Sequence, residues 1–263
     1  MTAQTAAISP IAQSRSATRP LLGFTTLFRK ELTEWARGRG ALVIGAISIA
    51  GAIFTTIIPF IAPNSPGVFL SKDPTTNVLV GWGGLTAGII AVLAAMSLIS
   101  GERDRGTLAW TLSKPVSPVS IIAAKWAAAT FVFATLGVII PLAVSSVVAT
   151  LVYGSVPDLG AIALFGGLYT MLPAFYIALS VALGTFVKST AGVAGIGFVV
   201  LFAPMIVAGV VPIFQEISPT SIGAWALAVA SGQSASILTL AAWLVTMAVL
   251  AVSAKVLFDR QEF

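Results

Sequence analysis

The sequence contains no histidine and no cysteine among its 263 residues. Histidine is the commonest general base and metal ligand in proteins, and cysteine supplies thiolate nucleophiles and disulfides. Charged residues make up only 9% of the chain, and no pair of carboxylates stands inside an apolar run. These absences argue against a nucleophile with its base and against a metal cluster. We therefore predict that the chain is not an enzyme and holds no metal.

Nucleotide-binding motifs are lacking as well. A phosphate-binding loop needs glycine six residues and one residue before its lysine, but before Lys188 these positions hold Ala182 and Val187. A dinucleotide fingerprint that begins at Gly195 fails at Val200. We predict no cofactor in this chain, no ATPase activity of its own and no nucleic acid among its partners.

Long apolar runs dominate what remains. Hydrophobic residues form 57% of the chain and the mean hydropathy is +1.02, which is typical of an integral membrane protein. A bilayer core about 30 Å thick needs roughly 20 apolar residues in a helix. We predict an all-α membrane protein with one domain, residues 20–263, after a disordered tail, residues 1–19. The six predicted spans are residues 41–62, 78–99, 119–152, 161–186, 191–212 and 236–257.

Features inside and between these spans carry further expectations. Pro141, Pro173 and Pro204 should each kink a span, because proline removes one backbone donor. Lys125 and Lys255 lie near span ends, from which long side chains can reach the interface. The apolar segment at residues 222–230 is too short to span, so we predict a re-entrant or interfacial helix on the outer face.

The basic residues set the predicted orientation. With a cytoplasmic N-terminus, only Lys72 of the 14 basic residues falls on the outer side. The positive-inside rule then places both termini in the cytoplasm, and we predict a multi-pass protein of the plasma membrane. The basic residues on the inner side are Arg15, Arg19, Arg29, Lys30, Arg37, Arg39, Arg103, Arg105, Lys114, Lys125, Lys188, Lys255 and Arg260.

The segment from residue 20 to residue 39 has the pattern of an amphipathic helix. Apolar residues recur at helical spacing from Leu21 to Trp35, and the residues on other faces are Arg29, Lys30, Thr33, Glu34 and Arg37. We predict that it lies at the membrane surface in contact with lipid; the alternative is an ordinary helix packed on protein. The candidate residues of this interfacial helix are Phe24, Phe28, Arg29, Lys30, Glu31, Leu32, Trp35, Arg37 and Arg39.

A charged loop, residues 101–118, separates the second and third predicted spans. Glu102 and Arg105 are three residues apart and are expected to pair along one helical turn, while Leu108 and Leu112 form an apolar edge. A short helix is expected to continue to about Pro115. Ser117 and Pro118 suit the N-cap and first turn of the next span. We predict that this loop docks on a soluble partner; the alternative is a solvated connector.

Transport driven by an ion gradient is disfavoured, because no ionisable residue lies at mid-depth of a span and no clear internal repeat is visible. If the chain moves a substrate, the energy is expected to come from another subunit. Two alternatives stay open: a membrane anchor or sensor that recruits a cytoplasmic partner without transport, and an ion-gradient-driven secondary transporter.

The charged loop, GERDRGTLAWTLSKPVSP, resembles the signature of ABC-2 type transporter permeases. The N-terminal stretch FRKELTEWARGR, residues 28–39, is similar to the Lys-Glu-Leu and Arg-x-Arg pattern of that family's interfacial helix. Lys125 stands where the family has a lysine entering its third span. The residues that match the signature are Gly101, Glu102, Gly106, Thr107, Leu108, Leu112, Pro115, Val116 and Ser117.

The resemblance implies a permease subunit that pairs with a second permease, identical or related, and with two copies of a separate ATPase. That ATPase would bind ATP and magnesium and would dock on a coupling helix, residues 101–114. Its closure would tilt the two permease bundles, usually for export. The resemblance names no cargo and leaves the roles of Trp110 and Lys114 open. The candidate ATPase-coupling residues are Glu102, Arg103, Asp104, Arg105, Gly106, Thr107, Leu108, Leu112 and Lys114.

Overall fold

The computed structural model describes residues 21–62, 71, 73–82, 86–104 and 116–259. Every regular element among these residues is a helix, and they include no strand. Six helical stretches are long and apolar enough to cross a membrane, and the second runs across residues 83–85. Their ends lie within four residues of the predicted ends, which confirms an all-α multi-pass membrane protein. The stretches are Arg39–Ile61, Pro74–Glu102, Pro118–Tyr153, Leu159–Phe186, Thr190–Ala208 and Ile237–Leu257.

The helices are numbered in chain order over the described residues. Three spans are interrupted within the described residues: turn and bend residues 96–99 break the second, a π-helical segment, Ala134–Ile139, joins two helices of the third, and Thr170 separates two helices of the fourth. The helices are α1 (Phe24–Arg37), α2 (Arg39–Ile61), α3 (Pro74–Trp82), α4 (Thr86–Ala95), α5 (Ser100–Asp104), α6 (Pro118–Phe133), α7 (Ile140–Tyr153), α8 (Leu159–Tyr169), α9 (Met171–Phe186), α10 (Thr190–Ala208), α11 (Phe214–Ile217), α12 (Ile222–Ala230) and α13 (Ile237–Asp259).

The bundle has two ends, which long-range hydrogen bonds define. At one end, the Ser100 and Thr190 hydroxyls are 3.1 Å apart and join α5 to the start of α10. We call this the loop end, because it also carries α1 and the first turns of α6. At the other end, the Tyr153 hydroxyl donates to the carbonyl of Thr56 at 3.0 Å and joins the last turns of α7 and α2. Successive spans therefore alternate in direction between the two ends.

Helix α9 lies at the centre of the bundle. It is buried along nearly its whole length and packs against α4, α6, α10 and α13. Phe175 and Tyr176 are among the largest fully buried side chains. The last two spans are covered much less, with 22% and 11% of their most apolar windows buried within the chain. The apolar surface of these two spans is thus left for lipid or for another subunit.

Two of the three predicted proline sites coincide with irregular helix. The π-helical segment ends two residues before Pro141, and the break at Thr170 comes three residues before Pro173. Proline lacks the backbone donor, so the carbonyls of the preceding turn need another arrangement. Around Pro204 the helix is unbroken, and so is α2 around Pro59, a position that the sequence analysis did not single out.

Helix α12 has the bounds that the sequence predicts, Ile222–Ala230. Ile222 and Ala226 are fully buried, and the helix packs against α8, α9 and α13. A side chain at Gly223 would meet the ring of Tyr169 at 3.1 Å, so this glycine allows the close approach. The existence of the helix is confirmed, and its re-entrant or interfacial placement stays a prediction.

Helix α1 packs along α6 rather than standing apart from the bundle. Leu27 is buried against Ile121 and Ala124, with the rings of Phe24 and Phe28 stacked beside them at 5.9 Å between centroids. One face of the amphipathic helix therefore rests on protein, as in the alternative interpretation. Its location at a membrane surface stays a prediction.

Candidate functional site: a buried charge cluster at the loop end

Five charged side chains meet where α1, α5 and α6 converge, and we call them the charge cluster: Lys30, Glu31, Glu34, Glu102 and Lys125. At its centre, the Lys125 ammonium lies 2.7 Å from a carboxylate oxygen of Glu102 and 3.0 Å from one of Glu31. The side chains of Lys125, Glu31 and Glu102 are only 4%, 7% and 11% exposed. Charges this deeply buried are stable only when they are paired.

Lys30 forms the outer edge of the cluster. Its ammonium lies 3.1 Å from Glu34, one turn further along α1, and 3.5 Å and 3.9 Å from the carboxylates of Glu31 and Glu102. Partial burial alone would lower the pKa of Lys30, but the hydrogen bond to Glu34 and the charges of Glu31 and Glu102 outweigh it, so the pKa is raised. Lys30 thus stays charged at physiological pH.

The fold of α1 and α6 explains why two charges point inward. Glu31 follows Leu27 by four residues, so both lie on the face of α1 that packs against α6. Lys125 follows Ala124, which packs against Leu27. The start of α6 is fixed by Ser117, whose hydroxyl accepts from the amide of Ser120 at 3.1 Å. This confirms the predicted N-cap.

Glu102 is positioned by the packing of α5 against its neighbours. A side chain at Gly184 would lie 2.8 Å from Cβ of Ile99, so the glycine lets α9 approach the segment that leads into α5. The Ser100 hydroxyl also lies 2.8 Å from the carbonyl of Met96 and contacts Thr190. Glu102 comes two residues later and faces Lys125 of α6.

The cluster has the chemistry of an ion-pair network. Carboxylate oxygens of Glu31, Glu34 and Glu102 lie within 4.8 Å of one another, a spacing that would also suit a metal ion. However, the ammonium groups of Lys30 and Lys125 already supply the positive charge that a cation would bring. Three carboxylates and two ammonium groups give a net charge of −1. Breaking one buried pair in such a network typically costs about 3–5 kcal/mol.

One expectation for the cluster is corrected by its geometry. Lys125 was expected to reach the membrane interface, but its side chain turns inward because Glu31 and Glu102 face it and α1 covers it. Glu102 is buried as well, and Lys125 and Lys30 pair with it; its predicted pairing with Arg105 stays a prediction. Arg105 lies outside the described residues.

The other candidate coupling residues are only partly described. The backbone of Arg103 and Asp104 completes α5, but their side chains are outside the description. The rest lie outside the described residues, so their role stays a prediction: Arg105, Gly106, Thr107, Leu108, Leu112 and Lys114. In the interfacial helix, Lys30 and Glu31 belong to the charge cluster, while Arg29 and Arg37 are exposed.

Sequence reasoning did not find the pairing of Glu31 with Lys125, although one signal pointed to it. Glu31 stands four residues after Leu27 and therefore on an apolar face of α1. A carboxylate on such a face needs a partner, and Lys125 is the lysine that enters the third span. Nothing in the sequence shows that α1 and α6 are neighbours, since the two residues are 94 positions apart.

A sequence model of the family described as ABC-2 family transporter protein matches residues 25–263. A comparison with curated proteins found no match. The matched range begins inside α1 and includes all five residues of the charge cluster.

Proposed function

Since the chain belongs to the ABC-2 transporter permease family, we propose that this transmembrane subunit is driven by a separate ATPase that docks on the charged loop and that it works as an exporter. The ATPase would bind ATP and magnesium, and the chain itself would carry no cofactor. A second permease, identical or related, would complete the membrane part. The proposed setting is the plasma membrane, with both termini in the cytoplasm.

One observation carries the coupling part of this proposal: Lys125 binds Glu31 and Glu102 at the same time. Glu102 lies just before residues 105–115, and Lys125 lies ten residues after residue 115. The chain on each side of the loop is therefore attached to the charge cluster. Glu31 adds α1 as the third element. A push on the loop would therefore move α1, α5 and α6 together instead of deforming the loop alone.

The surroundings of the cluster leave room for such movement. A cavity of about 220 Å³ opens beside it, with Trp35, Ser97 and Leu98 among its walls. Ion pairs that border a cavity can exchange partners at low steric cost, because no packed side chain must be displaced. In this proposal the charge cluster holds the joint together and the adjoining residues 105–114 contact the ATPase.

The buried position of Glu102 decides which residues should be changed to test docking. Replacing Glu102 would break the charge cluster and disturb the fold, so it would not report on docking alone. Leu108 and Leu112 are better targets, because they form the predicted apolar edge of the docking helix and carry no charge that would pair with the cluster. Lys188 offers a matched control, since it is exposed near the same end of the bundle.

The test is co-purification from native membranes. We expect the wild-type chain to carry a soluble ATPase with it, and the Leu108→Ala/Leu112→Ala variant to lose that ATPase while it keeps the wild-type melting temperature. Lys188→Ala should retain it. An isolated chain that transports without an ATPase would contradict the proposal, as would equal recovery of the ATPase with the double variant. Retention of an ATPase with no ATP-dependent flux in vesicles would favour the anchor or sensor interpretation.

A further inference from the structure

An apolar groove of about 280 Å³ runs between α6, α9 and α13, away from the charge cluster. Its floor is made by small side chains, among them Ala178, Ala251 and Ala254, and its walls include Trp126. The indole nitrogen of Trp126 donates to the carbonyl of Ala174 at 3.0 Å, which fixes that wall. Ala251 is exposed, so the groove opens on the outer surface of the bundle.

The groove has the length of one leaflet and lies in the half of the bundle nearer the loop end. Along α13 it extends from Met247 to Lys255, and eight residues of helix correspond to about 12 Å. Half of a bilayer's hydrocarbon core is about 15 Å. On α6 it begins at Val119, in the first turn at the loop end. An occupant of the groove would therefore lie within one leaflet.

One end of the groove carries an exposed positive charge. Lys255 lines the groove and is exposed. Among the described residues it makes no ion pair, since the salt bridges there belong to Lys30 and Lys125. An apolar groove that ends at an exposed ammonium group complements a molecule with an acyl chain and an anionic head.

We propose that this groove binds one acyl chain of an anionic phospholipid, whose headgroup pairs with Lys255. The exposed charge of Lys255 favours this occupant over an apolar helix of a second subunit, because such a helix offers no charge to pair with the ammonium. An acyl chain is thin enough to lie between Trp126 and Ala251. The described lining of the groove includes no residue of the charge cluster, so the inference does not rest on the proposed ATPase contact.

The experiment measures lipid bound to the full-length chain by native mass spectrometry. Phosphatidylglycerol and phosphatidylcholine are titrated into the detergent-purified protein. We expect the chain to bind phosphatidylglycerol roughly five times more tightly than phosphatidylcholine. The attraction of one lysine to an anionic surface corresponds to about that ratio. Lys255→Gln should bring the ratio close to one, and Ala251→Phe should block binding of both lipids. If Ala251→Phe fails to fold, Ala251→Leu fills the groove with a smaller side chain and should also block binding of both lipids.

Lys188→Gln is the matched control, because it removes one exposed positive charge close to the same end but outside the groove. It should leave the preference unchanged. The proposal is overturned if Lys255→Gln keeps the full preference, or if Lys188→Gln lowers it equally. It is also overturned if Ala251→Cys, a single thiol in a chain without cysteine, forms a disulfide between two copies in membranes.

Discussion

Replacing Lys125 by methionine is the sharpest perturbation of the charge cluster. Methionine keeps most of the side-chain length but removes the ammonium group that lies 2.7 Å from Glu102 and 3.0 Å from Glu31. The net charge of the cluster then changes from −1 to −2, with three carboxylates crowded around Lys30 alone. Removal of one partner from a buried pair costs about 3–5 kcal/mol. At about 2–4 °C per kcal/mol for a chain of this size, the melting temperature should fall by roughly 6–20 °C.

Tryptophan fluorescence of the detergent-purified chain can follow this transition, since the sequence has six tryptophans. Thiol-reactive dyes are unsuitable because there is no cysteine. The triple variant Lys125→Met/Glu31→Gln/Glu102→Gln, which leaves only the pair of Lys30 with Glu34, should recover most of the loss. Lys188→Met should change little. A Lys125→Met variant as stable as the wild type would refute the reasoning, and so would a triple variant less stable than Lys125→Met.

The remaining predictions concern packing, a buried hydroxyl and a helix cap. Gly184→Ala should destabilise by about 1–3 kcal/mol, because its Cβ would lie 2.8 Å from Ile99, whereas Gly167→Ala, with nothing within 4 Å, should be neutral or stabilising in thermal melts. Ser48→Ala should raise the melting temperature slightly, since the Ser48 hydroxyl is buried with no partner among the described residues. Asp73→Ala should cost about 0.5–2 kcal/mol at pH 7 through two lost cap hydrogen bonds, from the amides of residues 75 and 76.

The Asp73 effect should also depend on pH in a defined direction. Burial alone would raise the pKa of Asp73, but hydrogen bonds from Thr76 and Thr75 outweigh it and lower the pKa below 3.8. A lowered pKa means that the stabilisation is present above the unfolded pKa and is lost as the pH falls through the folded one. The wild type and Asp73→Ala should therefore differ in melting temperature at pH 7 and converge in strong acid. If the difference in melting temperature between the two proteins grows as the pH falls, Asp73 does not stabilise the fold through these cap hydrogen bonds.

The membrane spans could be predicted because each depends on a local property. An apolar run of about 20 residues is visible without knowledge of its neighbours, and so is the short run that becomes α12. The N-cap at Ser117 is local too, because the hydroxyl and the amide that it accepts from are three residues apart. Such features are decided within one or two helical turns.

The charge cluster could not be predicted, because it depends on which helices are neighbours. Lys125 near a span end is compatible with snorkelling to the interface, and only the position of α1 over α6 turns it inward. The partners of Glu102 on α1 and α6 are likewise remote in sequence. Its burial follows from the contact of Gly184 with Ile99, which brings α5 against the bundle.

The central claim is that the charged loop receives the force of an ATPase, and a cross-link from Leu108 tests it most directly. Leu108→Cys introduces one thiol into a chain that has none, so a photoactivatable thiol reagent will label a single position. After illumination of native membranes, we expect a cross-linked protein with a phosphate-binding loop, in an amount that changes when ATP is added. Cross-links only to lipid, to the chain itself or to proteins without a nucleotide site would contradict the claim.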